Sequence, residues 1–307
     1  MNNWKLTTPV AFIIFNRPDT TARVFAEIAK AKPPKLLVVG DGPRANRPGE
    51  AEKVAAARAI IERVDWDCEV LTNFSDVNLG CKLRPASGID WVFEQVEEAI
   101  ILEDDCLPDP TFFRFCQELL ERYRYDQRIA MISGDNFQFG YQRSDDSYYY
   151  SRYTHIWGWA SWRDRWQNTH DLDLLHWPKV RDEGLIHDIL PNRQEADYWA
   201  AIFERVYRGG LDSCWDYQWT FACWLQGRLT ILPNQNLISN IGFGVEATHT
   251  MVECEFANLP VEAMTFPLMH PIGVICNHTL DDRAFKRIFC RPLLLRVKSK
   301  MVRIFGL

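Results

Sequence analysis

Three consecutive acidic residues, Glu103, Asp104 and Asp105, directly follow an apolar run at residues 99–102 that is typical of a buried strand. Adjacent carboxylates repel one another, so a proton or a cation must neutralise part of their charge. Oxygen ligands suit Mg²⁺ or Mn²⁺, and Mg²⁺ commonly binds one or two carboxylates together with substrate phosphates. Ligands of open α/β sheets bind beyond the carboxyl ends of the strands, where these acids lie. The pattern predicts a metal–phosphate site, and the alternative is a solvated acidic turn.

Polar side chains also follow two other apolar runs. Arg17 comes soon after residues 10–15, and Asp41 comes soon after residues 35–39. Because the carboxyl ends of parallel strands meet at one edge of a sheet, we expect Arg17, Asp41 and the three acids to converge on one ligand. Considered singly, each has a plainer interpretation: Arg17 as an exposed arginine, and Asp41 as a turn residue between two glycines.

Strand-like and helix-like segments alternate through the first half of the chain. The pattern predicts strands at residues 10–15, 35–39, 68–72, 99–102 and 129–132, and helices at residues 20–31, 50–63, 87–97 and 111–125. Such alternation implies an α/β fold with a mainly parallel sheet and crossover helices. In the second half the alternation fades, and nine of the twelve tryptophans lie between Trp157 and Trp224. We place a soft boundary near residue 134 and treat the basic segment from residue 283 as a separate part, which divides the chain into residues 1–134, 135–282 and 283–307.

Several short motifs follow one another between residues 9 and 250: Phe15-Asn16-Arg17-Pro18, Val38-Val39-Gly40-Asp41, Asn78-Leu79-Gly80, Ile101-Leu102-Glu103-Asp104-Asp105, Pro108-Asp109-Pro110-Thr111-Phe112-Phe113, Trp157-Gly158-Trp159 and Trp215-Asp216-Tyr217-Gln218-Trp219. In this order they resemble the GT-A class of nucleotide-sugar glycosyltransferases. The chain is most similar to the group typified by the eukaryotic N-acetylglucosaminyltransferase I and its bacterial relatives. The resemblance implies a Rossmann-like GT-A fold whose Trp-rich half binds the acceptor.

The resemblance also implies roles for single residues. Asp105 would ligate Mn²⁺ or Mg²⁺ at the diphosphate of the donor, and Asp104 and Glu103 would contact the ribose, the donor sugar or metal-bound water. Asp41 would hydrogen-bond the nucleotide base, with a UDP-sugar as the favoured donor. Arg17 would hold the nucleotide or its phosphates.

Asp216 lies where the family places its general base, and the resemblance implies inversion at the anomeric carbon. This chain departs from the family pattern at Tyr217, where the enzyme that typifies the group has a second acid. Aromatic neighbours would desolvate Asp216 and raise its pKa toward a useful value. The main alternative is that Asp216 caps a helix at residues 217–224.

Four further residues are candidate ligands. By resemblance to several related enzymes, His249 is an additional metal ligand, with His278 as the weaker alternative, although a lone histidine is usually structural. Lys82 and Arg84 follow Gly80 and are candidates for phosphate contact, or for a solvated helix face. The tryptophans are typical of a core more than of a sugar-stacking surface.

Composition limits the classes of function. A net charge of −6 argues against a general nucleic-acid binder. The nine cysteines form no CxxC pair, which fits a reducing compartment better than a disulfide framework. No apolar run approaches the ~20 residues of a membrane span. We therefore expect a cytoplasmic protein.

The segment 283–307 differs from the rest in charge. It carries eight Lys or Arg and no acid, whereas the preceding residues carry 27 basic against 41 acidic side chains, a net charge of −14. Cationic and apolar residues interleave there at near-helical spacing. This predicts an amphipathic helix that lies on the anionic inner face of a membrane. Such a location would suit an enzyme whose acceptor is lipid-linked. The equal alternative is a terminal helix that docks on the acidic body.

Together these observations predict a metal-dependent, inverting glycosyltransferase of the hexosyl or N-acetylhexosaminyl kind, which acts on a glycan or glycolipid in cell-surface polysaccharide biosynthesis. A nucleotidyltransferase is the second enzymatic interpretation. It would require a Gly-rich basic loop after the first strand, which Asn16-Arg17-Pro18-Asp19 is not. The third is a non-catalytic, Trp-rich carbohydrate-binding protein, which would tolerate the loss of Asp105 and Asp216.

Overall fold

The computed structural model describes residues 4–211, 214–243 and 255–289. Within these ranges the strands are β1 (Val10–Ile14), β2 (Lys35–Gly40), β3 (Glu69–Phe74), β4 (Glu98–Glu103), β5 (Cys106–Pro108), β6 (Ile129–Ser133), β7 (Tyr148–Ser151), β8 (Trp159–Trp162), β9 (Leu229–Pro233) and β10 (Ile238–Asn240). Eight of them form one sheet in the order β3-β2-β1-β4-β8-β6-β9-β7, and β5 pairs with β10 in a second, two-stranded sheet.

The large sheet is mixed but mostly parallel. β3, β2, β1 and β4 are parallel neighbours, and so are β6 and β9. β8 runs antiparallel between β4 and β6, and β7 runs antiparallel to β9. The predicted α/β class with a mainly parallel sheet is confirmed at this level, whereas the GT-A assignment stays a prediction. The boundary predicted near residue 134 comes directly after β6, and strands from both sides of that boundary belong to the same sheet. The division of the chain into parts also stays a prediction.

Helices cover both faces of the sheet. They are α1 (Pro18–Ala31), α2 (Glu50–Ala59), α3 (Gly80–Gln95), α4 (Thr111–Tyr123), α5 (Arg163–Gln167), α6 (Trp177–Asp182), α7 (Ile186–Ile189), α8 (Arg193–Tyr207), α9 (Asp216–Leu225) and α10 (His278–Ala284), with a 3₁₀ turn at Ile60–Arg63 and a π-helical turn at Phe285–Phe289. In the described part of the chain, none of these helices is both long and apolar enough to cross a membrane.

Two apolar cores lie on opposite faces of the sheet. Alternate residues of β1 divide between them, since Phe12 packs with α1 and α4 whereas Ile13 packs with α3 and α9. All five residues of β1 are buried, as expected of a strand covered on both faces. Eight of the nine clustered tryptophans are also buried, and Trp157 is half-buried, so most of this cluster is core.

A third core joins α6, α8 and α9 to the beginning of the basic segment. Phe285 is buried against Tyr198, and Phe289 contacts Trp199 with 5.0 Å between ring centroids. In its described part, residues 283–289, the basic segment is therefore docked on the body. Residues 290–307 lie outside the described ranges, and their membrane association stays a prediction.

The helix after β3 begins earlier than its sequence suggests. The sequence pattern predicts a helix from residue 87, but α3 begins at Gly80 and contains Pro85, although proline disfavours a helix interior. Residues 106–108, which lie outside the predicted strands, form the short strand β5. The helix predicted from Thr20 or Thr21 begins at Pro18, whose fixed φ suits the first helical turn.

Candidate functional site

The carboxyl ends of β1, β2, β4 and β6 meet at one edge of the large sheet, which we call the carboxyl rim. β1 is parallel to β2 and β4, and β6 runs in the direction of β4 because β8 is antiparallel to both. Glu103 ends β4, and Arg17, Asp41, Asp104, Asp105 and Asp135 follow the four strands within three residues. The rim therefore collects residues that lie far apart in the sequence.

The guanidinium of Arg17 contacts the acidic turn, which we define as residues 103–105. Its Nη1 donates to Asp105 Oδ2 at 2.6 Å, and its Nε lies 3.5 Å from Asp104 Oδ1. The Phe15 N–H donates to the second oxygen of Asp104 at 3.0 Å. Asp104 and Asp105 are only 4% and 9% exposed. Arg17 is thus the counter-ion of two buried carboxylates.

The acidic turn carries more negative charge than Arg17 neutralises. Burial, with Asp105 and Asp104 adding to it, raises the pKa of Glu103 to about 8. Burial likewise raises the pKa of Asp104 to about 6, although Arg17 opposes this. Burial disfavours the charged form of Arg17, but Asp104 and Asp105 outweigh it and raise the pKa. At neutral pH the turn therefore holds a proton that a second cation would replace.

The ligand atoms of the acidic turn fit a hard divalent cation. They are carboxylate oxygens, which Mg²⁺ and Mn²⁺ prefer. In the described part of the chain, Asp105 Oδ1 accepts a weak hydrogen bond from the Cys106 thiol, at 3.5 Å, which leaves it lone pairs for a metal. Among the described residues, the three acids do not bring three ligand atoms within 4.8 Å of one another, so a metal here would be held by one or two carboxylates. An open set of ligands leaves coordination positions for phosphate oxygens and water.

Asp41 holds the beginning of α3 at the rim. Its Oδ1 accepts hydrogen bonds from the N–H groups of Gly42 and Leu79, and its Oδ2 accepts from the Gly80 N–H and from Asn78 Nδ2, each at 2.9 Å. Asp41 is 6% exposed. It is therefore more than a turn residue, because it fixes a second segment of the rim. Its contact with a nucleotide base stays a prediction.

Arg84 lies apart from the acidic turn, on the side of α3 that faces β3. Its Nη2 donates to Asn73 Oδ1 at 2.8 Å and to the Asn73 carbonyl. Arg84 is 6% exposed, and burial lowers its pKa although Asp41 opposes this. The structure does not bring Arg84 to the acids, and its predicted phosphate contact remains untested.

Asp216 is the first residue of α9 and follows Trp215. Trp215 stacks on Trp159 at 6.0 Å between ring centroids, and Trp159 pairs with Ile101 of β4. This stacking holds the beginning of α9 beside the acidic turn. The negative charge of Asp216 also raises the pKa of Glu103, although burial, Asp105 and Asp104 raise it more. The N-cap position itself belongs to Trp215, one residue before the position that the capping alternative requires.

Asp135 is a rim carboxyl that the sequence predictions did not include. It is 1% exposed, its Oδ2 accepts from the Trp157 N–H at 3.0 Å, and its Oδ1 has no partner among the described residues. Burial raises its pKa well above the usual range, although the hydrogen bond from Trp157 opposes this, and so favours the protonated form. The signal was present in the sequence, because Asp135 follows β6 as Asp41 follows β2.

Gly242 lies directly on the ion pair of Arg17 and Asp105. Asn240 of β10 pairs with Cys106 of β5, and the Ile241 N–H donates to the Asp105 carbonyl at 2.8 Å. A β-carbon at position 242 would lie 2.7 Å from Asp105 Cβ and closer still to its carboxylate. Only glycine fits here. His249, the predicted additional metal ligand, lies in the range 244–254, which the structure does not describe.

His278 belongs to a different part of the fold. Its ligand atom lies within 4.8 Å of those of Cys276 and Asp281, a group that could hold a metal ion. Asp281 also accepts from Ser151 Oγ at 2.5 Å, and its Oδ2 lies 3.4 Å from Arg152 Nε. Three strands separate this group from β4, roughly 19 Å at the usual strand spacing. His278 is therefore not near the acidic turn.

Comparison with known proteins adds little to the description of the fold. No protein family and no curated protein matches this chain. A solved structure to which it is similar is that of a UDP-glucose pyrophosphorylase complexed with UDP-glucose, at 10% identity and a TM-score of 0.27, over 47% of this chain and 62% of that one. Similarity of this extent supports no conclusion about activity, so function must be argued from the rim itself.

Proposed function

We propose that this chain is a divalent-metal-dependent glycosyltransferase. It transfers a sugar from a nucleotide-diphosphate donor, with a UDP-sugar favoured, to a hydroxyl of a glycan or glycolipid. The observation that carries the proposal is the acidic turn at the carboxyl rim, where Arg17 pairs with two buried aspartates. The negative charge of Asp216 acts on the same turn, because it helps to raise the pKa of Glu103. Phosphate transfer chemistry and sugar transfer both need such a combination of cations, carboxylates and a base.

The donor side of the reaction is assigned to the acidic turn. Asp105, with Glu103 and Asp104 beside it, would hold Mn²⁺ or Mg²⁺, which stabilises negative charge on a departing diphosphate. Arg17 is a fixed cation at the same place, because two carboxylates and the start of α1 hold it. A guanidinium pairs well with phosphate oxygens. The charges that the leaving group needs are thus grouped before the donor binds.

The acceptor side is assigned to Asp216. A carboxylate beside the acceptor hydroxyl removes its proton as the oxygen attacks the anomeric carbon, and a single attack from one side inverts the configuration. Asp216 is half-buried next to the buried Trp215. General-base catalysis of this kind contributes about 10²–10⁴-fold to the rate. The stacked tryptophans under α9 would keep the base in position.

Nucleotide binding is the first test. Titration calorimetry with UDP and a series of UDP-sugars, with and without Mn²⁺, should show binding that requires the metal. Asp105→Asn should weaken it at least tenfold, whereas Asp67→Asn, at an exposed acid, should not. Metal-independent binding, or unchanged affinity in Asp105→Asn, would remove the acidic turn as the metal site.

The transfer step is tested with Asp216→Asn. We expect unchanged affinity for the nucleotide sugar and a loss of kcat of about 10²–10⁴-fold, with Asp188→Asn as the control because Asp188 is exposed on α7. Transfer near the wild-type rate would place the base elsewhere.

The same assays separate the alternatives. Nucleotidyl transfer is the second enzymatic alternative, as in the sequence analysis. Release of pyrophosphate from a nucleoside triphosphate and a sugar phosphate would favour it over glycosyl transfer. Glycan binding without turnover, unaffected by Asp105→Asn, would favour a non-catalytic carbohydrate-binding protein.

A further inference from the structure

A cavity lies away from the acidic turn, where the basic segment docks on the body. Its volume is about 290 Å³, and its lining residues are Phe137, Gln138, Arg283, Lys286 and Arg287. Two of these follow β6 and Asp135, and three belong to the end of α10 and the π-helical turn. The cavity thus combines an aromatic ring, an amide and three cations.

The three cations occupy one face of their helical segment, at spacings of three and four residues. Lys286 Nζ lies 2.6 Å from Asp282 Oδ2, and Arg287 Nη2 lies 3.2 Å from Glu255 Oε2. All four of these side chains are more than 40% exposed, and exposed ion pairs are weak and exchange readily. Arg283 lies over the Tyr141 ring at 4.1 Å. The three cations therefore outnumber their two acidic partners by one. An anionic ligand can compete with those acids for the cations.

Gln138 contributes a buried acceptor to the same cavity. The residue is 3% exposed, and its Nε2 donates to the Leu280 carbonyl at 3.0 Å. Because a carbonyl only accepts, this bond fixes which end of the amide is the oxygen. That oxygen, Oε1, is buried and has no donor among the described residues. A buried acceptor without a donor is uncommon and calls for a ligand group or water that supplies one.

Aromatic contacts connect the cavity to the acidic turn. Phe137 packs edge-on against Trp157 at 5.3 Å, and Trp157 packs against Phe243 at 5.7 Å between ring centroids. Phe243 adjoins Gly242, which lies on Asp105. The same Trp157 supplies the N–H that binds Asp135. One continuous series of contacts therefore runs from the cavity to the candidate donor site.

We propose that this cavity binds an anionic sugar, meaning a hydroxyl-bearing ring that carries a phosphate or a carboxylate group. Arg283, Lys286 and Arg287 bind the anionic group, Phe137 contacts the apolar side of the ring, and Gln138 Oε1 accepts a hydrogen bond from a hydroxyl. The inference rests on the proposed function in one respect: it makes the bound sugar part of the acceptor of the transfer reaction.

The test is binding of small sugars to the full chain, without nucleotide or metal, by titration calorimetry or ligand-observed NMR. The probes are glucose 6-phosphate, glucuronate, neutral glucose and inorganic phosphate. We expect one of the two anionic sugars to bind at least tenfold more tightly than glucose and than phosphate alone, and to weaken as NaCl is added. The comparison of glucose 6-phosphate with glucuronate shows which anionic group the cavity prefers.

The double variant Arg283→Gln/Arg287→Gln should reduce that affinity at least tenfold. Both side chains are exposed, so the fold should survive the change. Arg193→Gln, at an arginine whose side chain is 90% exposed on α8, should have no effect. Affinity unchanged in the double variant, or equal binding of glucose and the anionic sugars, would overturn the proposal.

Two further outcomes keep this proposal distinct from the proposed function. Binding of an anionic sugar by a chain that binds no nucleotide would support the cavity and count against the transferase assignment alone. Binding of the chain to vesicles of phosphatidylglycerol, with no binding of any sugar probe, would overturn the proposal and assign the three cations to a membrane surface.

Discussion

Replacing Arg17 with glutamine tests the electrostatic account of the acidic turn. Arg17 pairs with Asp104 and Asp105, whose side chains are 5% and 12% exposed, whereas its own side chain is 21% exposed. The variant keeps a polar group of similar length and removes the charge. It leaves two buried carboxylates without their cation, close to a third acid, Glu103, whose pKa is already raised.

The expected loss of stability is large for a single substitution. Removing one partner of a buried ion pair costs about 3–5 kcal/mol, and the partial exposure of Arg17 favours the lower end, about 3 kcal/mol. The chain has 307 residues, so its entropy of unfolding is about 0.6 kcal/mol per kelvin at the usual value per residue. The melting temperature should therefore fall by ~5 °C at pH 8.

The loss should shrink at lower pH. Burial raises the pKa of Asp104 to about 6 while Arg17 opposes it, so removing Arg17 raises this pKa further. An unfolded aspartate has a pKa of about 3.9. Between these two values the native variant binds a proton that the unfolded chain has released, and its stability falls as the pH rises. The difference in melting temperature between wild type and variant should be larger at pH 8 than at pH 5.

Differential scanning calorimetry at both pH values measures this difference. Arg23→Gln, at an exposed position of the same helix, is the control and should change little. Mn²⁺ should stabilise the Arg17→Gln variant, because the ion replaces the missing charge. A loss no larger than that of the control, or one equal at pH 5 and pH 8, would refute the assignment of Arg17 as the counter-ion.

Three further predictions concern the rim. Gly242→Ala should lower the affinity for UDP with Mn²⁺ at least tenfold by displacing Asp105, as calorimetry would show, whereas Gly273→Ala, where a β-carbon meets its nearest neighbour at 3.9 Å, should not. For Asp135→Asn, the melting temperature relative to wild type should increase as the pH rises from 5 to 8. The reason is that the native acid, with its raised pKa, holds its proton more tightly than the unfolded chain does, so the wild type loses stability over this range. A difference in melting temperature that stays constant with pH would contradict this. Binding of Mn²⁺ at pH 7 should release about one proton per ion, since burial and the neighbouring aspartates raise the pKa of Glu103 to about 8. Calorimetry in buffers of different ionisation enthalpy measures the number of protons released. If no proton is released, a metal does not bind beside Glu103.

The sheet and its rim could be predicted to a large extent from local patterns. Apolar runs identified β1, β2, β4 and β6, because strands buried on both faces are apolar throughout. The rule that parallel strands end at the same edge then grouped Arg17 with the acidic turn, as the ion pairs confirm. No local pattern specifies the roles of these residues, which depend on ligands that the sequence does not name.

The remaining features depend on contacts between distant segments. The early start of α3 follows from hydrogen bonds that Asp41 accepts at Leu79 and Gly80, and propensity alone cannot foresee them because Pro85 opposes a helix there. β5 exists because a strand from a distant part of the sequence, β10, pairs with it. Asp135 was overlooked although it follows β6 as Asp41 follows β2, because that position alone does not distinguish a buried acid from an exposed loop residue.

The pairing of β5 with β10 links the acidic turn to a segment more than 100 residues later in the sequence. Cys106, the first residue of β5, follows Asp105 directly, and the Ile241 amide just after β10 is bonded to the Asp105 carbonyl. Exchange of that amide with deuterium requires local opening of this junction. A ligand that holds the acidic turn closed would slow the exchange. The Ile241 amide is thus a built-in reporter of occupancy, even for a ligand that never touches residue 241.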